Sequence, residues 1–140
     1  MAGSSMTFTY DNGISGTGAR TRINTVIADW VSDSATGAVS GTTLKVCGKL
    51  LQAVTKPGDS SPTDNYDISL ADSDSADILA NTDATLANRD TANPETVNFF
   101  LKNVATAAIA SHPIVCSTIT ISVTNAGNSK NGRVTLYMEV

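Results

Sequence analysis

Two runs near the end of the chain alternate apolar and polar residues with strict period two. In the first, Ile119, Ile121 and Val123 alternate with Thr118, Thr120, Ser122 and Thr124. In the second, Val134, Leu136, Met138 and Val140 alternate with Arg133, Thr135, Tyr137 and Glu139. Successive side chains of a strand point to opposite faces, so this period fits half-buried strands and not an amphipathic helix. The Asn/Gly-rich stretch 125–132 lies between the runs, and together they predict a β-hairpin with one buried face that includes Leu136.

The polar residues elsewhere point the same way. The chain of 140 residues carries 15 Ser and 19 Thr, and eleven of its thirteen acids are Asp. Strong helix formers are scarce, while strand-tolerant Thr and turn-favouring Asn, Asp, Ser and Gly abound. The spacing predicts further strands over 6–10, 20–32 and 42–55 (the last with a bulge or bend at Gly48) and over 65–71, where Tyr66, Ile68 and Leu70 share a face. A tight turn from Asp72 to Ser75 leads to a short run over 76–80, and 81–95 reads as a long surface loop. Residues 97–109 fit helical spacing as well, but the strand-rich setting favours a strand over 96–101 followed by irregular chain over 102–112. The expected fold is all-β, a jelly-roll-like β-sandwich of about eight antiparallel strands. Residues 1–19 are expected as a flexible Gly/Ser-rich arm, and 20–140 as a single domain.

Charge narrows the function classes. Net charge is −4, and residues 57–88 hold seven acids with no Lys or Arg. A nucleic-acid binder needs clustered bases, so no nucleic-acid partner is expected. No apolar run reaches the roughly 18–20 residues of a membrane-spanning helix, so no membrane partner is expected either. The first residues lack a basic region leading into an apolar stretch. Synthesis and folding in a cytoplasm are the expectation, with Cys47 and Cys116 as buried free thiols.

No motif carries a reaction. The single His112, in Ser111-His112-Pro113, reads as a turn residue, and no nucleophile elbow accompanies it. Asp72, Asp74, Asp77 and Asp83 faintly resemble a calcium loop, but Asp77 stands where that loop needs Gly and Asp83 where it needs Glu. The Gly-rich run 13–19 ends in Ala19 where a phosphate loop places Lys. Aromatic platforms for sugars are lacking, since the one Trp, Trp30, falls in an apolar strand. No catalytic, cofactor-binding or metal-binding residue is therefore assigned, and no cofactor is expected.

Three segments, residues 62–70, 88–93 and 123–134, together resemble the capsid cementing (decoration) proteins of tailed bacteriophages, and size and acidity are similar to those of short-tailed phage heads. The resemblance implies a dimeric jelly-roll subunit on the outer surface of the virion, bridging neighbouring copies of the major capsid protein. It carries over no capsid-contact residues. The alternatives are another virion part (head fibre, tail or adaptor component) or, less favoured, a carbohydrate-binding β-sandwich. In the cementing reading, two projecting segments are expected to make the contacts: the arm 1–19 and the loop 81–95.

Overall fold

A computed structural model describes residues 3–11, 23–63, 65–80, 86–99, 101–102 and 109–140. Its strands are β1 (Ser5–Asp11), β2 (Ile23–Val31), β3 (Val39–Thr42), β4 (Val46–Pro57), β5 (Asp67–Ala71), β6 (Glu95–Asn98), β7 (Leu101–Lys102), β8 (Ile109–Ser111), β9 (Ile114–Ser117), β10 (Thr120–Thr124) and β11 (Asn131–Glu139). A six-stranded sheet runs β1-β2-β11-β4-β6, with β9 also paired to β4, and a three-stranded sheet runs β3-β10-β5. β7 and β8 pair with each other outside both sheets, and every pairing is antiparallel. The architecture is an all-β sandwich whose two main sheets hold nine strands.

The period-two faces sit where the alternation puts them. Val26, Ala28 and Trp30 of β2, Leu50 and Ala53 of β4, and Val134, Leu136 and Met138 of β11 are buried from the large sheet. Val39, Ile68, Leu70, Ile121 and Val123 meet them from the small one. The Trp30 and Tyr66 rings bridge the layers at 5.5 Å between centroids. Over Trp30 only glycine fits: a Cβ on Gly132 would lie 2.6 Å from the indole.

The partners of these strands differ from the expected ones. β10 and β11 form no hairpin; β10 pairs with β3 and β5, and β11 with β2 and β4. The connection between them arches from one sheet to the other, with left-handed backbone at Asn125, Gly127 and Ser129. Alternation reports which face is buried but says nothing about which strand lies alongside. The run 42–55 divides for the same reason. β3 ends at Thr42 in the small sheet, and β4 begins at Val46 in the large one. Buried Thr43 marks this crossing, where its amide donates to Ile119 O (2.9 Å) and its hydroxyl accepts from Ile119 N (2.9 Å). Ile119 lies between β9 and β10, where the chain makes its own switch of sheet. The register shift in β4 falls opposite Tyr137 and Met138 and leaves Leu51 unpaired with β11, so the bulge lies beyond Gly48. Gly48 instead allows a close approach, since a Cβ there would lie 2.6 Å from Glu139 O.

Three further expectations are corrected. Residues Ser5–Asp11 of the expected arm pair along their whole length with β2, because Met6 and Phe8 pack on the core; residues 12–19 lie outside the described residues. The stretch 102–112 is not wholly irregular, as β8 pairs with β7. Cys47 and Cys116 are neither buried nor free. They stand opposite each other on β4 and β9, exposed and disulfide-bonded, with Cα atoms 3.9 Å apart. The expectation of thiols rested on the lack of an export signal and on two cysteines far apart in apolar runs, whereas strand pairing brings together two residues 69 apart in sequence.

Leu136 is fully buried in a strand bonded on both sides. Leu136→Ala is expected to lower unfolding stability by about 2–5 kcal/mol, read from chemical denaturation. An unchanged midpoint would mean that this face is not buried.

Candidate functional site

The three segments that carry the phage resemblance, far apart in sequence, meet at one corner of the sandwich. β5 and β10 pair Asp67 with Thr124 and Ile68 with Val123, which joins the first segment to the third. The Asp67 carboxylate then bonds both ways: Oδ2 accepts from Asn125 Nδ2 (2.7 Å) and Oδ1 from the Asn88 amide (2.9 Å). Asn88 and Asn125 both have left-handed backbone, which Asn tolerates better than most residues. Arg89 N donates to Tyr66 O (2.7 Å), Ile68 N to Leu86 O (3.0 Å) and Thr63 N to Ala126 O (3.0 Å).

This geometry corrects the reading of 81–95 as a projecting loop. Leu86 is buried in the core, and residues 86–89 run bonded along the β5 side of the small sheet. A single Leu in an Asn/Thr/Asp-rich stretch has no periodicity to announce it. Residues 81–85, with Asp83, lie outside the described residues. The following turn is closed by carboxylates. Glu95 Oε2 accepts from the Asp90 amide (2.8 Å) and faces Arg89 Nη1 at 3.4 Å. Asp90 in turn caps Ala92 and Asn93, and bonds from the Ala92 amide, the Asn93 side chain and the Asn93 amide hold its carboxyl below the ordinary 3.8. At the same end of the molecule the amides of Ala35 and Thr36 lower Asp33 likewise.

The opposite end is built differently. Tyr10, Leu44, Ile114 and Val140 are the exposed large apolar residues among those described, and all lie toward the end where β1, β9 and β11 finish and β4 begins. The Leu44 amide donates to the Tyr10 hydroxyl (2.8 Å), fixing this pair across the seam between the sheets. A cleft of about 600 Å³ beside them is lined by Tyr10, Val26, Lys45, Val46, Cys47 and Met138, among others.

The remaining sequence candidates have structural work. His112 Nδ1 is 2.6 Å from Phe99 O, and the Leu50 amide donates to Pro113 O (2.8 Å), so the His-Pro pair ties the approach to β9 onto β4. Asp72 Oδ1 accepts from the amides of Asp74 and Ala76, and Asp77 Oδ1 from Leu79. These are Asx turns whose oxygens face backbone. Among the described residues no three His, Cys, Asp or Glu converge as metal ligands. The Gly-rich run 13–19 lies outside the described residues. Trp30 is core, as its apolar strand suggested.

Asp67→Ala removes a side chain that bonds to both neighbouring segments. It is expected to cost about 1–3 kcal/mol, and a double-mutant cycle with Asn125→Ala should show coupling between the two. Additive effects would mean that the corner is not a unit.

No protein-family model matches the chain, and no curated protein matches it. Among solved structures it is similar to the enzymatically active domain of tailspike protein 4 of bacteriophage CBA120, at 10% identity and a TM-score of 0.38. That alignment covers 99% of this chain and 19% of the tailspike chain, and a likeness this slight carries no functional argument.

Proposed function

We propose that this chain is a structural protein of a bacteriophage virion, and specifically a cementing protein. It binds the outer surface of the capsid as a homodimer and bridges neighbouring major capsid subunits. The observation that carries this reading is the convergence of residues 62–70, 88–93 and 123–134. The phage-like segments, scattered in sequence, are one hydrogen-bonded corner built around Asp67. A resemblance confined to unrelated surface pieces would have no such reason to be contiguous.

The construction suits the task. The corner is densely bonded, its turns closed by carboxylates, left-handed Asn residues and the Arg89–Glu95 pair. The far end offers apolar side chains in a polar surround, with Lys45 and Lys49 exposed on β4's side and Asp74 and Asp77 exposed beyond β5. An apolar centre with a charged rim is the usual build of a protein–protein contact. Exposed ion pairs contribute only about 0–1 kcal/mol each, so tight attachment requires many contacts, and a dimer doubles them. Residues 1–19 no longer serve as a removable arm, because β1 belongs to the sheet.

The test uses heads of a short-tailed phage that lack their cementing protein. Mixed with the purified chain and sedimented, they are expected to bind it at a copy number approaching that of the major capsid subunits. Decorated heads should rupture at a higher temperature than bare ones, and binding should weaken as salt rises. Copy numbers in the tens would favour a tail or adaptor part. Absence of binding, with retention on a glycan array, would favour the carbohydrate-binding alternative.

A further inference from the structure

We infer that Cys47 and Cys116 form a site of thiol–disulfide exchange open to low-molecular-weight thiols and disulfides, so that the bond works as a latch and not as a buried staple. Both half-cystines are exposed. Each also borders a cleft: Cys47 lines the one of about 600 Å³ beside Tyr10, and Cys116 lines one of about 290 Å³ beside Asp72 and Ile114. A small reagent therefore reaches either sulfur without the fold opening.

The fold holds the two residues together whether or not the bond is made. β4 and β9 are paired at Val46–Ser117, Cys47–Cys116, Gly48–Val115 and Lys49–Ile114, and the Leu50 amide adds a bond to Pro113 O. The entropy of bringing the sulfurs together is thus already met by backbone pairing, which gives the second thiol a high effective concentration. Lys45 lines the same cleft as Cys47, and Lys49 follows two residues on along the strand, also exposed. Asp11 also lines the Cys47 cleft, and Asp72 and Asp74 line the one at Cys116, so the clefts carry charges of both signs, and the thiolate is the attacking species.

The exchange balances as follows. The Cys47 thiolate attacks one sulfur of a small disulfide such as oxidised glutathione, forming a mixed disulfide and releasing one glutathione thiolate. The Cys116 thiolate then attacks the Cys47 sulfur, forming the Cys47–Cys116 bond and releasing the second. Two protein thiols lose two protons and two electrons, and one small disulfide becomes two thiols. Closure fixes a loop spanning 69 residues that contains β5, β6, β7 and β8, so its effect reaches the whole sandwich and not β9 alone. If the chain is a virion protein, and this step alone rests on that reading, the latch is open in the reducing host cytoplasm and closes after release into an oxidising medium.

The test follows the thiols directly. The full chain is expressed in a bacterial cytoplasm and a maleimide is added before lysis; two labels per chain are expected. Chain purified without label and treated with oxidised glutathione should lose both thiols and two hydrogens of mass, with no retained adduct. Its thermal midpoint should rise by roughly 5–15 °C. Dithiothreitol should reverse this without denaturant, and Cys116→Ser should hold one glutathione on Cys47. Absence of label in the cytoplasm, a bond that yields to reductant only on unfolding, or a Cys116→Ser chain that takes up no glutathione would each overturn the proposal. No readout involves a capsid, so failure here leaves the cementing reading to its own experiment.

Discussion

The structure depends on β11. This last strand lies at the centre of the large sheet, paired over Asn131–Glu139 with β2 and over Gly132–Glu139 with β4. Without it, β1 and β2 would be an isolated pair, and β4 would keep only the short strands β6 and β9. Its inward residues Val134, Leu136 and Met138 are buried, and Gly132 admits the Trp30 ring. The ring is placed there for packing, and among the described residues its buried Nε1 has no hydrogen-bond partner. A sheet whose centre is made by the chain's last strand consists mainly of long-range pairings. Such folds form slowly, because loop entropy is lost before the contacts that offset it are made.

Much of the fold was legible because burial and period coincide. The apolar faces of β2, β5, β10 and β11 could be read residue by residue, since each strand has one side in the core and one out of it. Strand partners could not. The chain changes sheet six times (β2 to β3, β3 to β4, β4 to β5, β5 to β6, β9 to β10 and β10 to β11), and the short crossings at Thr43, Thr118 and Asn125 have no apolar periodicity to announce them. Their determinants are a buried threonine that exchanges bonds with Ile119, and left-handed backbone at Asn125, Gly127 and Ser129. In sequence these residues look like ordinary hairpin turn chemistry. A two-sheet arch and a hairpin use the same turn residues, and only the next strand over distinguishes them.

The candidate site was legible in outline and not in detail. Its three segments were singled out by resemblance, but Asp67, the residue that joins them, was one acid among seven in an acidic stretch. Its significance comes from two asparagines on other segments, and no local pattern links residues so distant. Leu86 and the cysteines were misread for related reasons. One lone apolar residue carries no period, and two distant cysteines carry no evidence of adjacency until β4 and β9 are paired.

The two ends of the sandwich divide the work between them. At the Asp67 corner, order comes from short polar side chains bonded to backbone, which fixes turns without exposing apolar area. At the other end, Tyr10, Leu44, Ile114 and Val140 stay exposed while the Cys47–Cys116 bond secures the strands between them. An apolar surface keeps its shape only if the strands beneath it cannot separate, and β9 is held to the sheet by four residue pairings with β4. The covalent bond therefore joins a strand held by only four residue pairings, close to exposed apolar side chains. The proposed capsid contact would need both: side chains left out of the core, and a frame stiff enough that their positions are not lost to fraying before a partner covers them.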